Sequence, residues 1–210
     1  MRTITTFLLG IFLLTLIACE DKKDNSKDSP EANGTEIFTE KDLKKRVSTR
    51  YPSDINHSQY SDTFTVKSTQ NKSYTLSMSG KNIYSDSFRG KTIILNISHI
   101  SSPTSLDQME SLSKVQAKHQ SNSIVISLLL GDTKEISTPN IFLNKHHIYH
   151  FVSFAQEQDK LAKKIYQSLQ VKENTIPLTI IYEDGKYYSH FERNTPLEMI
   201  NHDIKQTIKK

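Results

Sequence analysis

One cysteine, Cys19, and no tryptophan occur among the 210 residues. A single thiol excludes an intramolecular disulfide, so the folded part has to be stabilised by packing and not by a covalent staple. Long apolar runs are missing too: the uncharged stretch from Ile4 to Ile17 is too short for a good membrane span, which takes roughly 20 residues. Neither sign of charge dominates, with 27 basic against 23 acidic side chains and a formal net charge of +4. The pI near 9.0 looks basic, but the two signs are interleaved and no Arg-rich face exists, so nucleic acid is not an expected partner.

What is present begins with Arg2 followed by that apolar stretch and by Leu16-Ile17-Ala18-Cys19. A positive charge, a short apolar region and a small residue before a cleavage point make an export signal. Ending on small-then-Cys, it resembles a bacterial lipoprotein signal. The resemblance implies cleavage after residue 18 and lipid on Cys19, and so attachment to a bacterial envelope membrane, facing the periplasm, with inner and outer membrane both open. An ordinary export signal is the competing reading. Residues 1–18 carry one basic and no acidic side chain, so their removal takes the formal charge from +4 to +3.

Residues 19–36 are mostly Lys, Asp, Glu, Ser, Asn and Pro, too polar to bury enough surface to offset chain entropy, and are expected to form a flexible tether. Glu31 precedes Asn33-Gly34-Thr35 by two positions, which resembles an extended bacterial acceptor for N-glycosylation and makes Asn33 a candidate site. Residues 37–61 read as a linker with a short helix over 37–47, capped by Thr39.

Regular folding is expected over 62–210. Phe64-Thr65-Val66 and Tyr74, Leu76, Met78 alternate as a hairpin,. Thr92 to Ile97 and Ile124 to Leu130 are solid, β-branched runs that read as strands buried on both faces. Between them Leu106, Met109, Leu112 and Val115 recur at helical spacing, so the three elements form a βαβ unit with a parallel pair. A short helix at 141–145, a strand at 148–154 and a helix carrying Leu161, Ile165 and Leu169 follow. Leu178 to Tyr182, the Glu183-Asp184-Gly185-Lys186 turn and Tyr187 to Phe191 make a second hairpin,. Thr195 as cap, Pro196 at the first helical position and Glu198 at the third open a last helix, whose apolar face is Leu197, Ile200, Ile204 and Ile208,.

Gly90-Lys91 entering Ile93-Ile94-Leu95-Asn96-Ile97, the strand-to-helix junction after it, and Ile176-Pro177 before Leu178 with Glu183-Asp184-Gly185-Lys186 beyond resemble the thioredoxin fold of membrane-tethered periplasmic thiol-disulfide oxidoreductases of the TlpA/ResA type. The resemblance spans about Phe64 to the C-terminus. It implies an α/β class with a central mixed β-sheet flanked by helices and an N-terminal β-hairpin. It also implies a Trp-Cys-x-x-Cys motif at the start of the first helix and a cis-proline facing it.

Here the motif is absent. Ser101 stands at the tryptophan position and Ser102 and Ser105 at the cysteine positions, with Pro103 and Thr104 between. A helix N-terminus makes a cysteine reactive by stabilising its thiolate, whereas a serine hydroxyl stays protonated and forms no disulfide. The expectation is a domain without redox chemistry, with no catalytic residue and no cofactor, that binds or scaffolds a protein or peptide. The groove implied by the resemblance comprises Ser102, Pro103, Ser105, Thr175, Ile176 and Pro177, beside a proline loop that accepts an added strand. One alternative is an accessory role in periplasmic thiol chemistry or cytochrome c maturation alongside a cysteine-bearing partner. A serine hydrolase would need a base, and His99 is the nearest, but no orienting acid or oxyanion hole is recognisable. His146-His147-x-x-His150 suggests a metal carrier, yet neighbouring histidines diverge on a helix or a strand, so these are read as solvated residues near a turn and no metal is expected.

Overall fold

The computed structural model describes residues 62–132, 136, 138–154 and 157–208. The expected signal peptide, Cys19, Asn33, the tether and the helix over 37–47 lie outside them. Three short strands come first: β1 (Asp62–Lys67), β2 (Ser73–Ser79) and β3 (Asn82–Tyr84), an antiparallel sheet in that order. β1 and β2 are the expected hairpin. β3 was not expected, because three residues are too few to display a period.

A single 3-10 turn over Asp86–Phe88 leads to β4 (Thr92–His99), whose residues from Thr92 to Ser98 are all buried. α1 (Pro103–His119) and β5 (Ser123–Leu130) complete the expected βαβ unit, with Asn96 level with Ser127 in the parallel register. α2 (Pro139–Lys145), β6 (Phe151–Ser153) and α3 (Glu157–Leu169) follow. β7 (Leu178–Glu183), β8 (Lys186–Glu192) and α4 (Leu197–Ile208) close the described chain. The strand expected over 148–154 shrinks to three residues, with a bend at His150 just before it. The main sheet runs β6-β5-β4-β7-β8, parallel from β6 to β4 and antiparallel from β4 to β8. No described helix is long and apolar enough to cross a membrane.

Because β4 is buried on both sides, its alternation serves two cores. Ile93, Leu95 and Ile97 join Leu76, Ile83 and Tyr166 on the face that meets β1, β2 and α3. Ile94 points the other way, to Leu112 and Val115 of α1 and Ile200 and Ile204 of α4. Each such side chain, fully withdrawn from water, contributes roughly 1.5–3 kcal/mol. The β7–β8 turn takes positive φ at both Asp184 and Gly185, the geometry of a tight type I′ hairpin. A Cβ on Gly185 would stand 3.1 Å from the Ile83 carbonyl, so its bareness also lets β3 approach.

α4 differs from expectation at its start. It begins at Leu197, and the Thr195 hydroxyl, instead of capping it, donates to the Arg193 carbonyl at 3.1 Å. The Thr195 N–H donates to Gln108 Oε1 at 2.6 Å. Thr195 is thus drawn inward as an anchor to α1, and the Pro196 carbonyl receives the first helical N–H groups, from Met199 and Ile200.

Candidate functional site

The stretch His99–Ser105 turns β4 into α1. Ser102 is extended (φ −100°, ψ 110°) and its hydroxyl accepts from the Ser105 N–H at 3.3 Å, the N-cap arrangement that satisfies one of the helix's orphan donors. Pro103 occupies the first helical position, where its missing N–H costs nothing. The Ser102 hydroxyl also lies 3.0 Å from Thr104 Oγ1. Ser105 is fully buried, and its Oγ accepts from the His99 N–H at 3.2 Å. Both serines at the implied cysteine positions therefore hold the strand-to-helix corner together.

His99 folds back over the same corner. Its Nδ1 accepts the Ser101 N–H at 3.3 Å and lies 2.9 Å from the Ser101 hydroxyl, so the ring proton sits on Nε2 while it is neutral. The serine that meets this imidazole is Ser101 and not Ser102. Gly131 (φ +106°) packs under the ring: a Cβ there would stand 2.6 Å from Ile100 Cγ2 and 2.9 Å from His99 Cε1.

Thr175, Ile176 and Pro177 enter β7 through a cis Ile176-Pro177 peptide. Leu178 pairs with Ile97 near the end of β4, so these three residues and Ser102 lie at the same end of the sheet. Thr175 and Ile176 are half-buried and Pro177 is buried. The Pro177 carbonyl accepts from Arg193 N at 2.7 Å.

Beneath this end a buried polar row crosses the sheet on the α1 side. Asn96 Nδ2 donates to Thr179 Oγ1 at 3.2 Å, and Asn96 Oδ1 accepts from the Ser98 and Ser127 hydroxyls at 2.5 and 3.3 Å. Ser127 Oγ lies 2.7 Å from His150 Nε2, and His150 Nδ1 lies 2.8 Å from Ser113 Oγ. Tyr149 N–H donates to the same Ser113 oxygen at 2.9 Å. Burial pushes the His150 pKa down to about 3, since a charged imidazole there would lose its water.

His150 overturns the expectation of three solvated histidines. It is 8% exposed and hydrogen-bonded through both nitrogens, whereas His147 is exposed at a turn with φ +54° and the ring of His146 packs against Phe142. The three do not converge, and no group of three or more His, Cys, Asp or Glu side chains fit for a metal exists among the described residues. The missed signal was alternation: Ile148, His150 and Val152 are buried while Tyr149 between them is exposed and Phe151 only half-buried,.

No protein-family model and no curated protein matches the sequence. Among solved structures, the chain is similar to a thiol:disulfide interchange protein of the thioredoxin family from Chlorobium tepidum, with 13% identity and a TM-score of 0.52 over 71% of this chain and 96% of that one. A secreted thiol-disulfide isomerase from Corynebacterium glutamicum matches with 12% identity and a TM-score of 0.54 over 71% and 85%. StoA from Bacillus subtilis matches with 11% identity and a TM-score of 0.50 over 69% and 98%. The fold is thioredoxin-like, and Ser102 and Ser105 stand in a chain without a second cysteine.

Proposed function

We propose that this is a lipid-anchored protein of the bacterial envelope whose thioredoxin-like domain binds or scaffolds a protein or peptide and performs no thiol exchange. The observation that carries the reading is the use made of the two serines. Ser102 caps α1 and the buried Ser105 accepts the His99 N–H, so each hydroxyl is committed to the corner. Thiol exchange needs a thiolate and a second sulfur, and the one thiol of the sequence, Cys19, is the one that lipidation would consume. The binding surface is the end of the sheet that carries Ser102, Pro103, Thr175, Ile176 and Pro177, with Ser105 supporting it from within. An extended peptide there would gain main-chain hydrogen bonds in register with the proline loop.

Insulin reduction and partner capture test the two halves. The purified protein should reduce insulin no faster than buffer, and any turnover above it sinks the binding-only reading. Partners captured from envelope extracts should be lost from an Ile176→Asp variant that still folds. An unchanged partner set would refute the groove. The relatives in fold bear names of thiol-disulfide enzymes, which keeps an accessory role beside a cysteine-bearing partner as the second reading. It predicts a stimulation of that partner's turnover that the same variant removes.

A further inference from the structure

A cavity of about 490 Å³ opens between the β1–β2 turn, α2 and β6, toward the end of α1 away from Ser102. A second recess of about 330 Å³ adjoins it and shares Ser68, Thr69 and Asn140 as a common wall. That wall is built: Thr69 Oγ1 donates to Asn140 Oδ1 at 2.6 Å, and the turn is set by Asn71 at φ +58° and by Ser68 N–H donating to the Lys72 carbonyl at 2.9 Å. The turn brings one lysine to each recess, Lys72 to the larger and Lys67 to the smaller.

The chemistry of the lining is one-sided. No carboxylate lines either recess among the described residues, and neither lysine ammonium has an ion-pair partner there. The amides of Gln70 and Asn144 and the Tyr74 hydroxyl also have no protein partner among the described residues. Tyr74 and Phe151 lie at 4.9 Å between centroids in the wall, and the exposed Tyr149 forms the rim. Aromatic rings offer flat apolar contact, primary amides offer a donor and an acceptor side by side as a hydroxyl-rich ligand requires, and an unpaired ammonium selects an anion.

We propose that the paired recesses bind a short acidic saccharide, with one carboxylate-bearing sugar facing Lys72 and the next facing Lys67. Two sugars match two adjoining recesses with one cation each. A peptide would leave the amide pairs facing its apolar side chains. The site is separate from the proline-loop surface and stands whether or not that surface binds a peptide.

Titration of the full chain with digalacturonate, followed by calorimetry and by NMR shifts of Lys72 and Asn144, tests this. Digalacturonate should bind at least tenfold tighter than neutral galactobiose and tighter than a di-glutamate peptide. Lys72→Gln and Lys67→Gln should each weaken it about tenfold, as expected for loss of a charge-assisted hydrogen bond. Lys205→Gln on α4 should leave the affinity unchanged. Asn144→Ala, at an exposed position that does not threaten folding, should weaken digalacturonate and galactobiose alike. Equal affinity for the acidic and neutral sugars, preference for the peptide, indifference to both lysine variants, or no saturation up to roughly 10 mM would each overturn the proposal.

Discussion

Acid should lower the stability of this domain in substantial part through one imidazole. His150 is buried with both nitrogens hydrogen-bonded, and burial holds its pKa at about 3. The unfolded chain offers the same ring to water, where it takes a proton near pH 6.5. The native state therefore binds fewer protons than the unfolded state below that pH. The contribution is fully present above 6.5 and is lost as the pH falls toward 3. Each unit is equivalent to about 1.4 kcal/mol, so at pH 5 the loss from this residue alone reaches about 2 kcal/mol. Set against a total stability of roughly 5–15 kcal/mol for a domain, that is a large share. Urea unfolding at pH 7.5 and pH 5 would measure it, in the natural protein and in His150→Gln. The variant is expected to be less stable at pH 7.5 but to lose about 2 kcal/mol less on acidification. The exposed Glu110, whose carboxyl Lys114 holds below the usual range, titrates alike in both proteins and cancels. Equal pH slopes, or a His150 ring resonance that titrates above pH 5, would refute the argument.

Four further outcomes follow from the corner between β4 and α1 and the glycine packed against it. Ser105→Ala removes a buried hydroxyl and leaves the half-buried His99 N–H without its acceptor, and should cost about 1–3 kcal/mol in chemical denaturation. Ser102→Ala removes a cap and should cost about 1 kcal/mol, read by the same method. Gly131→Ala forces a methyl against Ile100 and His99 at a φ of +106° and should lower the melting temperature by several degrees, about 2 kcal/mol or more. The double variant Ser102→Cys/Ser105→Cys should acquire insulin-reducing activity, because the helix N-terminus that now faces Ser102 would stabilise a thiolate. No gain in turnover would mean that the scaffold has lost more than its sulfurs.

The central strands were legible in the sequence because burial on both faces turns a strand into a mainly apolar, β-branched run, as at Thr92–Ile97 and Ile124–Leu130, where only Thr92, Asn96 and Ser127 are polar,. The helices showed themselves by spacing, Leu161-Ile165-Leu169 and Ile200-Ile204 among them. β3 was hidden by its length, and the start of α4 by a competitor: the Gln108 side chain claims Thr195 for the interior, overriding the local capping pattern. The proline loop and the serine corner were legible only through likeness to a fold whose cysteines are missing. The polar row was hidden because Asn96, Ser98, Ser127 and His150 each look ordinary alone. Only the register of β4 on β5, with Asn96 opposite Ser127, aligns them. The paired recesses join residues some 70 positions apart, Thr69 and Asn140, and no local pattern foretells such a meeting.

The small sheet touches the large one at both of its margins. At one side Ser68 bridges Ser153 of β6 and the Phe154 N–H donates to the Lys67 carbonyl at 3.2 Å. At the other, Ile83 N–H donates to the Gly185 carbonyl at 2.9 Å and Tyr187 N–H to Asn82 Oδ1 at 3.0 Å. A single hairpin and its third strand thus act as a clasp on one end of each outer strand, and outer strands are the places where sheets recruit foreign strands and where they aggregate. The backbone groups engaged there, at the end of β6 and the start of β8, are ones that an added strand would otherwise have to pair with, so the length of edge left open on each flank is shorter than the strand itself,.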